Sequence, residues 1–286
     1  MGAEAHLVST VGDDNASRQL VESLDRVGVS HSMLKLRDDL PVKQRYLAGE
    51  QKVMKVNRGE AQPLDSAAEK KVLTVLEEAI GDGVDALIVS DFGFGAVTTT
   101  LIDTLIARFR DRIGVLAGDV SGPRRTLVSM RGFDLLTPTE RELRAVAGDF
   151  DRSLPAVAGR LMQTLDVPTL LATMGDRGAV LFHPRDETPG QWFDRRLRSE
   201  YLPALVQRPV DVVGAGDALL ACAVLARAAG ANPPQSAYLG SLASAVAVMG
   251  MGNRQISGEG LLAQAMRQPE LVLQEPGASE AWQWAT

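Results

Sequence analysis

Cysteine is nearly absent from this chain: Cys222 is the only one in 286 residues. A lone cysteine excludes an internal disulfide and any zinc site built on thiolates. Its place inside the apolar run Leu219–Leu225 makes it an expected core residue. Histidine is scarce too, and His6, His31 and His183 stand too far apart to show metal-ligand spacing. No dense basic block exists, because the 30 Lys and Arg residues are scattered among 36 Asp and Glu, for a net charge of −6. That pattern argues against nucleic acid as a partner and still allows a local site for a small anion. The longest apolar run, Ala215–Ala229, is broken by Asp217 and Arg227 and is too short to span a membrane. Met1–Ala5 has no basic flank and no apolar stretch follows it, so no signal peptide is read and a reducing cytoplasm is the expected compartment.

What is present is ordinary for a globular protein, with 45% apolar and 23% charged residues. The length suits one large α/β domain or two small ones. Short β-like runs alternate with amphipathic helical ones, which predicts a mostly parallel sheet covered by helices. Strands are expected at Ala5–Val11, Ala86–Ser90, Gly114–Ala117, Asp134–Leu136, Thr169–Thr173 and Ala179–His183. Helices are expected at Asn15–Val27, from Ser66 to Ile80 behind a Ser66-x-x-Glu69 capping box, from Thr98, from Thr139 and at Ser153–Leu165. Ala215–Gly230 and Gln235–Met249 are apolar nearly all round and should be buried helices. Pro184–Leu202 reads as an irregular excursion, and 268–286 as a tail. Lys43–Asn57 breaks the alternation with two β-like stretches around Gly49-Glu50, suiting either a partial lid or a plain edge hairpin.

In open α/β sheets ligands bind beyond the carboxyl ends of the strands, and the notable residues cluster at such ends. Asp91-Phe-Gly-Phe-Gly95, Asp119, Thr137-Pro-Thr-Glu-Arg-Glu142 and Thr173-Met-Gly-Asp-Arg-Gly178 each follow a strand. The most informative stretch is Asp211-Val-Val-Gly-Ala-Gly-Asp217. Gly214 and Gly216 allow a sharp turn that gathers bare N–H groups, and the following helix aims its positive end at the same spot. Such a nest suits a transferring phosphoryl group, with Asp217 placed to take a proton from an attacking hydroxyl. A glycine-rich turn with an Asp as helix cap is the plainer alternative. Thr139-x-x-Glu142 also has two readings, a capping box or a carboxylate acting on magnesium through water. Thr173–Gly178 could hold nucleotide phosphates or ribose, or be a bare turn between strands. No G-x-G-x-x-G follows an early strand, which sets a dinucleotide-dependent oxidoreductase aside.

These residues resemble the ribokinase-like (PfkB) family of small-molecule kinases, and within it most the kinase domain of bifunctional heptose-phosphate kinase/adenylyltransferases. The family's D-T-x-G-A-G-D appears as Asp211–Asp217. The heptose-kinase branch is matched by Lys43-Gln-Arg-Tyr-Leu-Ala-Gly49 with Gln51, by Val89–Thr98 and by Arg131–Pro138. The resemblance implies a three-layer α/β/α fold over 1–267 with a mostly parallel sheet and a small, incomplete β lid at 43–57. It implies ATP-dependent phosphorylation of a sugar or sugar-phosphate hydroxyl, with Asp217 as base and Gly214, Ala215 and Gly216 as anion hole. Thr173, Gly175, Gly178, Ala243, Gly252 and Asn253 would line the nucleotide and a monovalent-cation (K⁺) loop. Glu142 and Asp211 would serve Mg²⁺ and that loop, and Arg45 and Asp91 would meet the sugar.

Departures from the family pattern shape a second expectation. The family's substrate-binding start, with Gly-Gly-x-x-x-Asn, has no counterpart here, so the domain reads as N-terminally truncated. Phe94 and Asp119-Val-Ser stand where the branch has lysines, and Thr139 stands where the family has Asn. The alternative is therefore a catalytically impaired nucleotide-binding or interaction subunit, or one part of a split kinase. A homodimer, or a partner supplying the absent segment, would accompany it.

Overall fold

The computed structural model describes residues 2–48, 51–59, 62–122, 126–184, 197–252 and 255–268. The chain runs β1 (His6–Val11), α1 (Asn15–Val27), β2 (Ser30–Lys35), β3 (Val42–Ala48), β4 (Gln51–Arg58), α2 (Ser66–Ile80), β5 (Val84–Asp91), α3 (Thr99–Phe109), β6 (Ile113–Val120) and α4 (Thr126–Ser129). It continues β7 (Leu135–Leu136), α5 (Glu140–Ala147), α6 (Leu154–Leu165), β8 (Thr169–Thr173), β9 (Ala179–Pro184), β10 (Leu197–Leu202), α7 (Ala215–Ala228), α8 (Pro233–Val248) and α9 (Gly258–Ala265).

Strand side chains alternate between faces, and here both faces are apolar. Leu116 and Val120 of β6, Leu136 of β7, Leu170 of β8 and Phe182 of β9 enter one core with Val72, Ile102 and Leu161 from α2, α3 and α6. The intervening Ala117, Leu135, Leu171 and Leu181 enter a second core with Leu219, Leu220 and Ala223 of α7. A sheet buried on both sides between helices is the three-layer α/β/α architecture the sequence predicts. The central sheet has the order β10-β9-β8-β7-β6-β5. β5 to β8 are parallel, while β9 and β10 are antiparallel additions. β1 and β2 form a separate parallel pair, and β3 and β4 an antiparallel hairpin.

Two local expectations change. The cap of α2 is Asp65, whose carboxylate accepts the Ala68 N–H at 2.8 Å, and not Ser66. Glu69, released from a capping box, is buried and accepts the Thr98 hydroxyl, which ties α2 to the start of α3. The expected hairpin holds, with Lys43 opposite Asn57; its Gly49-Glu50 turn lies outside the described residues. So do most of the Pro184–Leu202 excursion and all but the first residue of the tail. The end of the excursion is strand, since Leu197–Leu202 pairs with β9.

Candidate active site

Parallel strands β5 to β8 deliver Asp91, Asp119, Thr137 and Thr173 to one edge of the sheet. The mouth of α7 reaches the same edge, because the charge of Asp217 acts on Asp119 at the end of β6. Gly214 caps α7 in the left-handed conformation, with φ 79°, which only glycine adopts without strain. The Ala215 N–H makes only a long 3.4 Å bond to Val212 O, and the first full helical bond is Ala218 N–H to Gly214 O at 2.9 Å. Among the described residues the Gly216 and Asp217 amides have no acceptor. Open amides at a helix N-terminus attract anions through hydrogen bonding and the helix dipole together.

Asp217 is exposed beside these amides. The protein mass around the helix mouth raises its pKa, and the Lys43 ammonium opposes that rise. Lys43 reaches the site from β3 and stands 5.1 Å from the ring centre of Phe92 and 5.2 Å from that of Phe94. The hairpin thus touches the loop that follows β5. Asp211 clamps the entry to α7: its Oδ1 accepts Val213 N–H and its Oδ2 accepts Gly252 N–H, each at 3.1 Å. It thereby joins the loop before α7 to the turn after α8.

Asp119 is half-buried and its carboxyl is pushed up to about 7, first by burial, then by the negative charges of Glu142 and Asp217. The buried Thr137 hydroxyl donates to it at 3.2 Å and pulls the other way. Glu142 forms its capping box, with Oε2 accepting the Thr139 N–H at 2.8 Å and hydroxyl at 2.7 Å. Its Oε1 accepts Gly122 N–H at 2.6 Å, so the capping residue also fastens the loop after β6. Among the described residues no three acidic, His or Cys side chains converge closely enough to hold a metal directly. The negative charges of Glu142 and Asp217 acting on Asp119 nevertheless fit a cation held at one remove, through water or phosphate.

The elevated carboxyl of Asp119 makes stability depend on pH. A folded-state pKa above the unfolded one means the native form binds the proton more tightly, so stability is full below about pH 4 and declines until about pH 7. The shift from 3.8 to about 7 sets a ceiling of about 4 kcal/mol, and solvent contact reduces the expected effect to roughly 1–2 kcal/mol. Asp119→Asn should therefore raise the melting temperature at pH 8 and leave it nearly unchanged at pH 4. Equal shifts at both pH values would contradict this account.

The remaining sequence-expected residues divide. Thr173 ends β8 and donates its N–H to Pro138 O at 3.0 Å. With Gly175, Thr139, Arg141, Phe150 and Arg177 it lines a cleft of about 370 Å³. Gly178 stands where a Cβ would lie 2.1 Å from Leu202 O, so its glycine serves chain packing. Ala243 is fully buried within α8 and presents no surface to a nucleotide, because the two Ala-rich helices pack on each other there. Asn253 lies outside the described residues. Asp91 is buried as well, with one oxygen accepting Gly93 N–H at 2.7 Å and the other the Thr126 hydroxyl at 2.5 Å. Its two oxygens thus brace the loop after β5 and the start of α4. Arg45 sits on β3 with its Nε buried and unpartnered. Lys43 and Asp119 approach the α7 mouth, Lys43 from the hairpin whose sequence matches the heptose-kinase branch and Asp119 from its strand end.

The chain resembles known proteins along most of its length. The sequence profile of the pfkB family carbohydrate kinases matches residues 1–257. The chain is 32% identical over 261 residues to "Bifunctional protein HldE" of Pseudomonas savastanoi pv. phaseolicola, covering 90% of this chain and 51% of that protein. It is 33% identical over 260 residues to the protein of the same name from Stutzerimonas stutzeri, with the same coverage. The chain thus spans about half the length of these relatives. Escherichia coli phosphofructokinase-2, solved in complex with potassium, superposes with a TM-score of 0.74 at 16% identity, covering 92% of this chain and 81% of that one. Thermotoga maritima ribokinase gives 0.67 at 19% identity, covering 91% and 81%.

Proposed function

The chain belongs to the pfkB family of carbohydrate kinases, and we propose that it transfers the γ-phosphoryl group of ATP to a hydroxyl of a sugar or sugar phosphate, as a heptose-phosphate kinase would. The observation that carries this reading is the α7 mouth, where the open Gly216 and Asp217 amides adjoin an exposed carboxylate. Asp217 takes the proton of the acceptor hydroxyl as its oxygen attacks the γ-phosphorus. The bond from phosphorus to the β–γ bridging oxygen breaks, and ADP leaves with that electron pair. The Ala215, Gly216 and Asp217 amides hold the charge spreading over the transferring oxygens. Magnesium, bound with the nucleotide, would neutralise phosphate charge, with Asp119 and Glu142 holding it through water. A monovalent cation would sit in the loop that Asp211 and Gly252 order. Thr173 and Gly175 face the nucleotide.

A kinase-like subunit without turnover is the second reading. Its support is that the edge of β1 away from β2 and the outer edge of β5 have no strand partner among the described residues, edges that a further strand would cover. Calorimetry with Mg·ATP, paired with a coupled ADP-release assay over a panel of hexoses, heptoses and their phosphates, separates the two. Turnover of at least one acceptor is the expected result. Nucleotide binding with no turnover on any of them would leave the second reading standing.

A further inference from the structure

Phe92 and Phe94 stand on the loop after β5, and the Lys43 ammonium lies over both rings, 5.1 and 5.2 Å from their centres. The loop that presents the rings is fastened on several sides. Asp91 accepts Gly93 N–H at 2.7 Å, and Gly95 O accepts Leu64 N–H at 3.1 Å. Phe94 O accepts from both terminal nitrogens of Arg37, at 3.4 and 3.3 Å. Gly93 and Gly95 have φ 78° and 84°, and a Cβ on Gly95 would lie 2.3 Å from Gln62 O. These glycines let the chain coil beside each ring, and close backbone packing then keeps both rings in place.

A lysine ammonium rides on a flexible four-carbon stem and swings unless something restrains it. Aromatic faces do so through their negative quadrupole, and two faces on one cation form a cage. The cage matters because of what it faces. Asp217 meets Lys43 from β3 and Asp119 from β6, with Glu142 of α5 acting on Asp119. α8, packed along α7, carries no charged residue from Pro233 to Val248. On the hairpin, Arg45 shares the Lys43 face of β3 and Lys55 lies opposite Arg45, like charges that repel Lys43. Resting on the kinase reading, we infer that Phe92 and Phe94 are positioning residues: their rings hold the Lys43 ammonium toward Asp217, so that the hairpin and the base are set together. Neither ring touches the reacting atoms, and both act through Lys43.

The first test follows kcat against pH with Mg·ATP and the fastest acceptor from the panel of hexoses, heptoses and their phosphates. Without a held Lys43 charge the rise in the Asp217 pKa goes unopposed. Phe94→Leu should therefore move the acid limb to higher pH and lower kcat there about two- to fivefold, the worth of one cation–π contact. The alkaline plateau should stay where it is. Lys43→Met should do the same more strongly, and Phe94→Tyr, which keeps an aromatic face, should restore wild-type behaviour. An equal loss at every pH, unrepaired by Phe94→Tyr, would mark a merely structural ring and overturn the inference. A second test needs no turnover. The chain has six lysines, so reductive ¹³C-methylation gives few signals, and Lys43→Arg identifies its own by deletion. The Lys43 methyls should lie upfield under two ring currents, return toward the other lysines in Phe94→Leu, and titrate with a step that Asp217→Asn abolishes. An unshifted signal, or a titration that Asp217→Asn leaves intact, overturns the inference whether or not any acceptor is phosphorylated. A shifted, Asp217-dependent signal without turnover on any acceptor keeps the cage and removes the kinase reading. Phe92 is 47% exposed and its truncation the milder one, so Phe92→Leu serves if Phe94→Leu does not fold.

Discussion

Asp217→Asn should lower kcat by about two to four orders of magnitude, the range that a positioned general base contributes. Nucleotide affinity should scarcely change, because the open amides of Gly216 and Asp217 belong to the backbone and survive the substitution. The fold should survive too. Asn keeps the shape of the side chain, and loss of a carboxylate in the first turn of α7 costs about 0.3–1 kcal/mol. The pH profile adds a second reading of the same residue. Protein around the helix mouth raises the Asp217 pKa and Lys43 restrains it, so wild-type kcat should fall as pH drops through a value above the ordinary carboxylate range. That acid limb should be missing from the residual activity of the variant. Steady-state kinetics across pH with calorimetry for Mg·ATP would check both points. Unimpaired turnover, or nucleotide binding lost in proportion to kcat, would remove Asp217 from its assigned role.

The part of this site that could be read from the chain is the part encoded locally. Asp211–Asp217 joins two glycines to a long apolar helix, and its chemistry follows from what a helix N-terminus does to an anion. The Thr139 capping box is likewise a spacing rule, and it formed as written. Helices with a clear apolar stripe, such as α3 and α6, were legible to within a residue or two. Residues whose role depends on distant neighbours were not. Asp119 is one carboxylate at a strand end until the fold sets it against Glu142 and Asp217. Arg37 lies in a stretch with no periodicity, and only the approach of Phe94 O gives it a place. Elements carrying little burial escaped for the same reason. β2 has no buried residue, β10 alternates weakly through Arg198, Ser199 and Glu200, and α9 begins on two glycines within three residues. Asp91 shows the opposite error: a strand-end carboxylate invites a ligand role, and here it braces its own loop.

Gly178 turns that lesson into a measurement, because the same glycine can be read as a ligand contact or as a packing necessity. It closes the turn after β8 with φ 83° and ψ −136°, a region open in practice to glycine alone. A Cβ there would lie 2.1 Å from Leu202 O and 2.7 Å from Ala204 N, both backbone atoms that cannot swing aside. Backbone strain and steric overlap together give an expected cost of roughly 3–5 kcal/mol for Gly178→Ala. For a domain of this size that corresponds to a drop of about 6–20 °C in melting temperature. Gly175, three residues earlier at φ 65°, has no atom within 4 Å of a built Cβ. Gly175→Ala should therefore cost only about 1–2 kcal/mol for its left-handed backbone. Its larger effect should fall on the KM for ATP, since it lines the cleft shared with Thr173 and Arg177. Thermal melts and nucleotide titrations of the two variants separate the roles. If Gly178→Ala melted like wild type and lost only nucleotide affinity, the strand-end turn would be a phosphate loop throughout, and the 202–204 chain would have to lie elsewhere.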